Sequence, residues 1–128
     1  EPAPEGARLA LATGPDQRPA LHIMAGPTTA VSWRTTVNLP PGRYRFSVQV
    51  MARGVLPLPF GRNQGAALRV ADGGPRAGGV LGSQSWQPLE LDFDADPSAP
   101  PVELRLELRA AGGEVWFARD SLRLLRRP

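Results

Sequence analysis

Arg43, Arg45, Gln49 and Arg53 all stand at odd positions of one stretch of the chain. If that stretch is extended they share a face, because successive side chains of a strand point to opposite sides. A row of guanidiniums suits hydroxyls and carboxylates, since the planar N–H fork meets two acceptor oxygens at once. Arg34 and Arg69 enlarge this candidate surface if their strands lie beside it. Trp86 and Trp116 are the two tryptophans open to exposure, and a ring face is where the apolar side of a ligand stacks. Each ring has an alternative use, closing one end of a hydrophobic core.

The arginines also have a plainer reading. Glu90, Asp92, Asp94 and Asp96 alternate too, and an acidic row answering a basic one is ordinary cross-strand pairing. The same acids make a poor calcium site. Alternate carboxylates of a strand stand roughly 6.5–7 Å apart, too far to grip one ion through bonds of about 2.4 Å without a bend. Neither a loop glycine nor a downstream bidentate glutamate accompanies them.

Other chemistry is excluded by composition. There is no cysteine, so no disulfide, thiolate metal site or thiol nucleophile exists. His22 is the single histidine, and Leu21 and Ile23 beside it place it on the wet face of a short strand. No serine sits in a nucleophile elbow, no metal-ligand cluster is visible, and no phosphate-cradling glycine loop precedes a helix. Catalysis is therefore not expected, and neither is a cofactor. All 15 basic residues counted in the charge are arginine, and they face 12 acids for a formal charge of +3. The pI near 10.9 reflects the high pKa of arginine, and the interspersed acids argue against nucleic acid as a partner. No apolar run approaches the roughly 18 residues of a membrane helix.

The elements that must position these residues follow a period of two. Tyr44, Phe46, Val48, Val50 and Ala52 share one face of the stretch that carries the arginine row. Val102, Leu104, Leu106 and Leu108 alternate with Glu103, Arg105, Glu107 and Arg109, which buries one face and wets the other. Trp33, Phe93 and Phe117 likewise fall on interior faces. Strands are expected at 8–12, 20–24, 31–37, 43–53, 66–70, 86–93, 102–109 and 114–124. The 14 glycines and 15 prolines separate them. Gly112-Gly113 reads as a hairpin between the last two strands, and Asp72 to Gly82 as a turn-rich loop. Gly54 to Arg62 carries Val55, Leu56, Leu58 and Phe60 in a proline-stiffened connection, where they either cap the sandwich or form a contact surface. The sum is an all-β, two-sheet antiparallel sandwich of about eight strands, with jelly roll the leading topology. An immunoglobulin-like sandwich is the runner-up, without the Cys–Trp–Cys signature. Residues 1–7 read as a linker remnant and 8–128 as one domain, expected to be a monomer.

Several segments, in order, resemble carbohydrate-binding modules of the galactose-binding-like, jelly-roll group. Leu39-Pro40-Pro41-Gly42-Arg43-Tyr44-Arg45-Phe46 resembles the proline–glycine–basic–tyrosine entry to a long strand. Gly65-Ala66-Ala67-Leu68-Arg69-Val70 is similar to the next strand of such modules, and Trp86 to Phe93 to the one after it. Val115-Trp116-Phe117-Ala118-Arg119-Asp120-Ser121-Leu122 resembles their closing strand. The resemblance spans roughly residues 30 to 124. It implies a non-catalytic accessory module, carbohydrate-directed, within a larger extracellular, periplasmic or cell-surface protein. Its partners would be a glycan or other domains of that protein. A structural calcium ion of the family kind would draw on Asp120, but Ala118 stands where the first acidic ligand is usual, and the N-terminal Asn-Gly-Phe-Glu-like signature is missing. With aromatics at 6%, the alternative is a structural or protein-interaction sandwich that has lost sugar binding.

Overall fold

The period-two runs are strands. A computed structural model describes residues 7–15, 17–61, 63–70, 74–95 and 101–127; among them are ten strands, one short 3-10 turn and no α-helix. The strands are β1 (Arg8–Thr13), β2 (Pro19–Met24), β3 (Thr29–Val37), β4 (Gly42–Leu56), β5 (Gly65–Val70), β6 (Arg76–Val80), β7 (Gly82–Ala95), β8 (Val102–Ala110), β9 (Gly112–Ala118) and β10 (Arg123–Arg127). Ala7, just ahead of β1, is buried in the core, and residues 1–6 of the expected linker lie outside the described residues.

All pairings are antiparallel. One sheet holds β3-β8-β5-β6. The other runs β1-β2-β9-β4-β10, with β7 also paired to β4. Along one edge of β4, β10 pairs with residues 43–47 and β9 with residues 50–56; β7 follows the opposite edge. The chain passes repeatedly from one sheet to the other, as in a jelly roll. Between the sheets lie Tyr44, Phe46, Val48 and Val50 of β4, Leu104, Leu106 and Leu108 of β8, and Phe117 of β9, all buried.

β4 holds this arrangement through details of its own. Tyr44 stacks on Phe93, with ring centroids 5.8 Å apart, and its hydroxyl donates to the carbonyl of Pro40 at 2.6 Å. In the gap between β9 and β10 the backbone N–H of Gln49 donates to Ser121 Oγ at 2.8 Å. Ser121 in turn donates to the carbonyl of Ala118 at 2.7 Å. A bulge after Ala52 shifts the β7 register and turns Val55 inward, where it is 1% exposed.

Three departures from the sequence expectation have physical causes. β6 occupies what reads as a loop: Gly78 and Gly79 carry no side chains to alternate, so periodicity cannot reveal the strand. The expected strand over 114–124 is two strands separated by the 3-10 turn Arg119–Ser121. Gly112-Gly113 is not a hairpin, because β8 and β9 lie in different sheets. It is a crossover. Gly113 has φ +94°, and a Cβ there would come within 2.6 Å of Val55 Cα. Gly113→Ala should therefore cost about 2–3 kcal/mol in urea denaturation, backbone strain and overpacking together. Gly82→Ala, at φ +73° with nothing within 4 Å, should cost about 1 kcal/mol from backbone strain alone.

Candidate functional site

The expected binding residues fall on two opposite outer faces of the sandwich. Arg43, Arg45, Gln49 and Arg53 lie on the outside of the six-stranded sheet, as their alternation on β4 requires. Arg34 on β3 and Arg69 on β5 belong to the other sheet, so they do not extend the β4 row.

On the six-stranded sheet every arginine of β4 has an acid in register on one side, and Arg43 also stands opposite Arg127 of β10. Arg43 pairs in register with Asp94, Arg45 with Asp92, and Arg53 with Glu114. Arg45 donates twice to Asp92, at 2.8 and 3.2 Å, and Arg127 reaches the same carboxylate at 3.0 Å. Glu90 is 3.9 Å from Arg45. The acidic stripe is cross-strand partner to the basic one; Asp96 lies outside the described residues.

Gln49 accepts a hydrogen bond from Arg18 at 2.7 Å, and the other Nη of Arg18 pairs with Asp120 at 2.7 Å. The Arg18 guanidinium also sits 4.6 Å above the Trp86 ring. The indole Nε1 of Trp86 is buried without a hydrogen-bond partner among the described residues. Trp116 is 6% exposed, stacked on His22 at 5.1 Å with the Arg53 guanidinium 5.1 Å from its ring. His22 Nε2 lies 2.9 Å from Glu114. Neither tryptophan is the open platform that its position suggested: Trp116 is covered, and Trp86 is half-buried beneath Arg18. Among the described residues no three His, Cys, Asp or Glu side chains come together as a metal site.

The four-stranded sheet is different. Across β3, β8 and β5, Arg34, Arg105 and Arg69 stand directly opposite one another. The neighbouring rows are Ser32–Glu107–Ala67 and Ala30–Arg109–Gly65. A groove of about 350 Å³ opens over Ala30 and Ser32, lined by Arg34, Arg69, Arg105 and Arg109. Arg69 and Arg76 each donate to one oxygen of Glu107 at 2.7 Å. Those three side chains are only 14% exposed, which strengthens the pairing relative to a surface ion pair. Arg105 pairs with Glu103 at 2.5 Å. Arg109 packs over Gly61, and its Nε is buried with no hydrogen-bond partner among the described residues. Arg76, Arg105, Glu107 and Arg109 were not candidates from sequence, where β8 reads as a strand with one solvated face. The signal missing there was register: which arginines face which.

Two further features flank these faces. Between β3 and β10 an apolar cleft of about 340 Å³ opens on Leu21, Trp33, Phe46, Leu106 and Leu124. Trp33, expected inside, lines this cleft half-buried, and its indole donates to the carbonyl of His22 at 3.3 Å. After β4 the apolar connection divides. Leu58 is 7% exposed and caps the core, whereas Leu56 and Phe60 are 59% and 63% exposed. Gln64 pins the connection by accepting from the N–H of Leu58 at 2.9 Å and donating to the carbonyl of Phe60 at 2.8 Å.

At the Arg45–Asp92 pair a titration is displaced. The hydrogen bond from Arg45 holds the Asp92 carboxyl below the usual carboxylate range. Loss of hydration opposes it and the charge of Arg127 assists. The pair's small stabilisation is present while Asp92 is ionised and is lost as pH falls through that lowered value. Arg45→Gln should raise the Asp92 titration midpoint in a carboxyl-detected NMR titration; an unmoved midpoint contradicts the assignment.

No protein-family model matches the chain, and no curated protein sequence matches it. Among solved structures it is similar to TmCBM61, determined in complex with beta-1,4-galactotriose. The TM-score is 0.63 over 96% of this chain and 83% of that one, at 16% sequence identity. The sandwich read from alternation thus has the fold of a carbohydrate-binding module.

Proposed function

We propose that this chain is a non-catalytic binding module directed at a carbohydrate, serving as an accessory of a larger extracytoplasmic protein. One observation carries the reading: the groove on the four-stranded sheet, where planar hydrogen-bonding groups from neighbouring strands converge. Arg34, Arg69, Arg105 and Arg109 offer N–H forks there, Asn63 an amide, Ser32 a hydroxyl and Glu107 an acceptor. Saccharide hydroxyls need such mixed donors and acceptors, and hydrogen bonds from charged groups are the stronger kind. The β4 row lies along a single strand, whereas the groove gathers its polar groups from neighbouring strands. The fold shared with a saccharide-binding protein supports the same reading.

The test is a glycan array followed by calorimetry on any hit. Arg34→Ala with Arg69→Ala should weaken binding at least tenfold, while Arg43→Ala on the opposite face should leave it unchanged. No binding across neutral and acidic glycans would sink the proposal.

The exposure of Leu56 and Phe60 on one connection favours a second reading, a contact with other domains of the parent protein. Leu56→Ser with Phe60→Ser should then abolish association of the separately expressed module with the remainder of that protein in a sedimentation experiment. Unchanged association would remove this reading.

A further inference from the structure

Ala67 lies on an outer face and yet is 0% exposed. Its neighbours in β5, Ala66 and Leu68, belong to the core between the sheets, so alternation turns Ala67 outward. Register explains what covers it. Ala67 stands between Glu107 of β8 and Gly78 of β6, while Arg69 stands between Arg105 and Arg76. Arg76 donates from Nε to Glu107 Oε2 at 2.7 Å, although β5 separates their two strands. The two side chains therefore meet diagonally above Ala67, and the single methyl group beneath them leaves that passage open.

Arg76 has two further acceptors. Its Nη2 donates to the carbonyls of Asn63 and Gln64, at 2.7 and 3.0 Å. Asn63 has φ +61°, a left-handed conformation that asparagine tolerates and that the bond to its carbonyl holds in place. One guanidinium thus ties β8 to the segment that enters β5. From the other side Arg69 donates to Glu107 Oε1 at 2.7 Å and to the carbonyl of Gly74 at 3.4 Å. Gripped at both oxygens, the Glu107 carboxylate is held against rotation, and each oxygen keeps a lone pair for another donor.

Glu107 and Asn63 line the groove of the four-stranded sheet, and Arg76 does not. Hydroxyls are recognised by donors and acceptors held at fixed separations, and the groups behind them do the holding. A carboxylate already ordered in the free protein also loses less freedom when a ligand arrives. We infer that Arg76 is the positioning residue of the groove. From behind, it fixes Glu107 as an acceptor for ligand hydroxyls and holds the backbone that carries the Asn63 amide, and Ala67 is the gap through which it reaches. This rests on the carbohydrate reading above and assigns the residue that sets the geometry of its site.

The experiment has two readouts. In the ligand-free protein, NMR should show the Glu107 carboxyl and the Asn63 side-chain amide displaced by Arg76→Gln, with the backbone amides of Tyr44 and Phe117 unmoved. Calorimetry then uses as probes the β-1,4-linked hexasaccharides of glucose, xylose, mannose and galactose, together with each array hit. For whichever binds the unsubstituted chain, Arg76→Gln should weaken binding about tenfold, the scale of a lost hydrogen bond to a charged group. Arg76→Lys, which keeps the charge without the planar fork, should restore part of that loss. Ala67→Leu, with Arg76 intact, should reproduce it by filling the passage, whereas Arg43→Gln should leave binding unchanged. Thermal melting confirms that each variant folds. In a Glu107→Gln background the effect of Arg76→Gln should largely vanish, because the acceptor it positions is gone. Displaced resonances with unchanged affinity would overturn the positioning role while keeping the carbohydrate reading. Unmoved resonances, or equal losses with and without Glu107, would do the same. Silence toward every neutral and acidic glycan would instead remove the carbohydrate reading, and this inference with it.

Discussion

Fifteen residues of one strand hold the molecule together. β4 lends its inner face to the core, one edge to β7 and the other to two strands in succession. Where β9 stops and β10 has not begun, a backbone N–H would be left in a partly buried place without an acceptor. Ser121 supplies one, and its own proton goes to the carbonyl of Ala118. A single hydroxyl thus allows one edge to serve two partners, and the closing segment to cross the break without losing its hydrogen bonds.

Much of this was legible in the residues. Alternation assigned Tyr44, Phe46, Phe93 and Phe117 to the interior correctly, because the period of two depends on backbone geometry alone. It could not say which sheet a strand joins. Arg34 and Arg69 face outward for the same reason as Arg43 and Arg45, yet lie on the far side of the sandwich. Gly112-Gly113 carries the composition of a hairpin and performs a crossover, since its need for glycine comes from a distant strand pressing against it. β6 escaped notice because glycine does not alternate, and β10 because three of its five residues are arginine.

The candidate site was the least legible part, and the cause is register. A row such as Arg34–Arg105–Arg69 is assembled from strands separated by dozens of residues, and no local pattern announces it. The aromatics mislead in the opposite direction. Trp116 is on an outer face, but His22 and Arg53 close over it, and Arg18 does the same to Trp86. Rings that might have stacked on a sugar are instead covered by cations and imidazole. The outer face of the four-stranded sheet gathers arginines instead, in rows that only register reveals.

The outer edge of β10 has a consequence for how the protein behaves at high concentration. That edge pairs with no strand among the described residues, and such an edge is a template onto which another chain can add. Arg123, Arg126 and Arg127 belong to this strand, with Arg126 bent back to donate to the carbonyl of Pro41 at 2.9 Å and Arg127 reaching Asp92. An arginine-rich edge strand is the kind of charged edge that discourages addition of another chain.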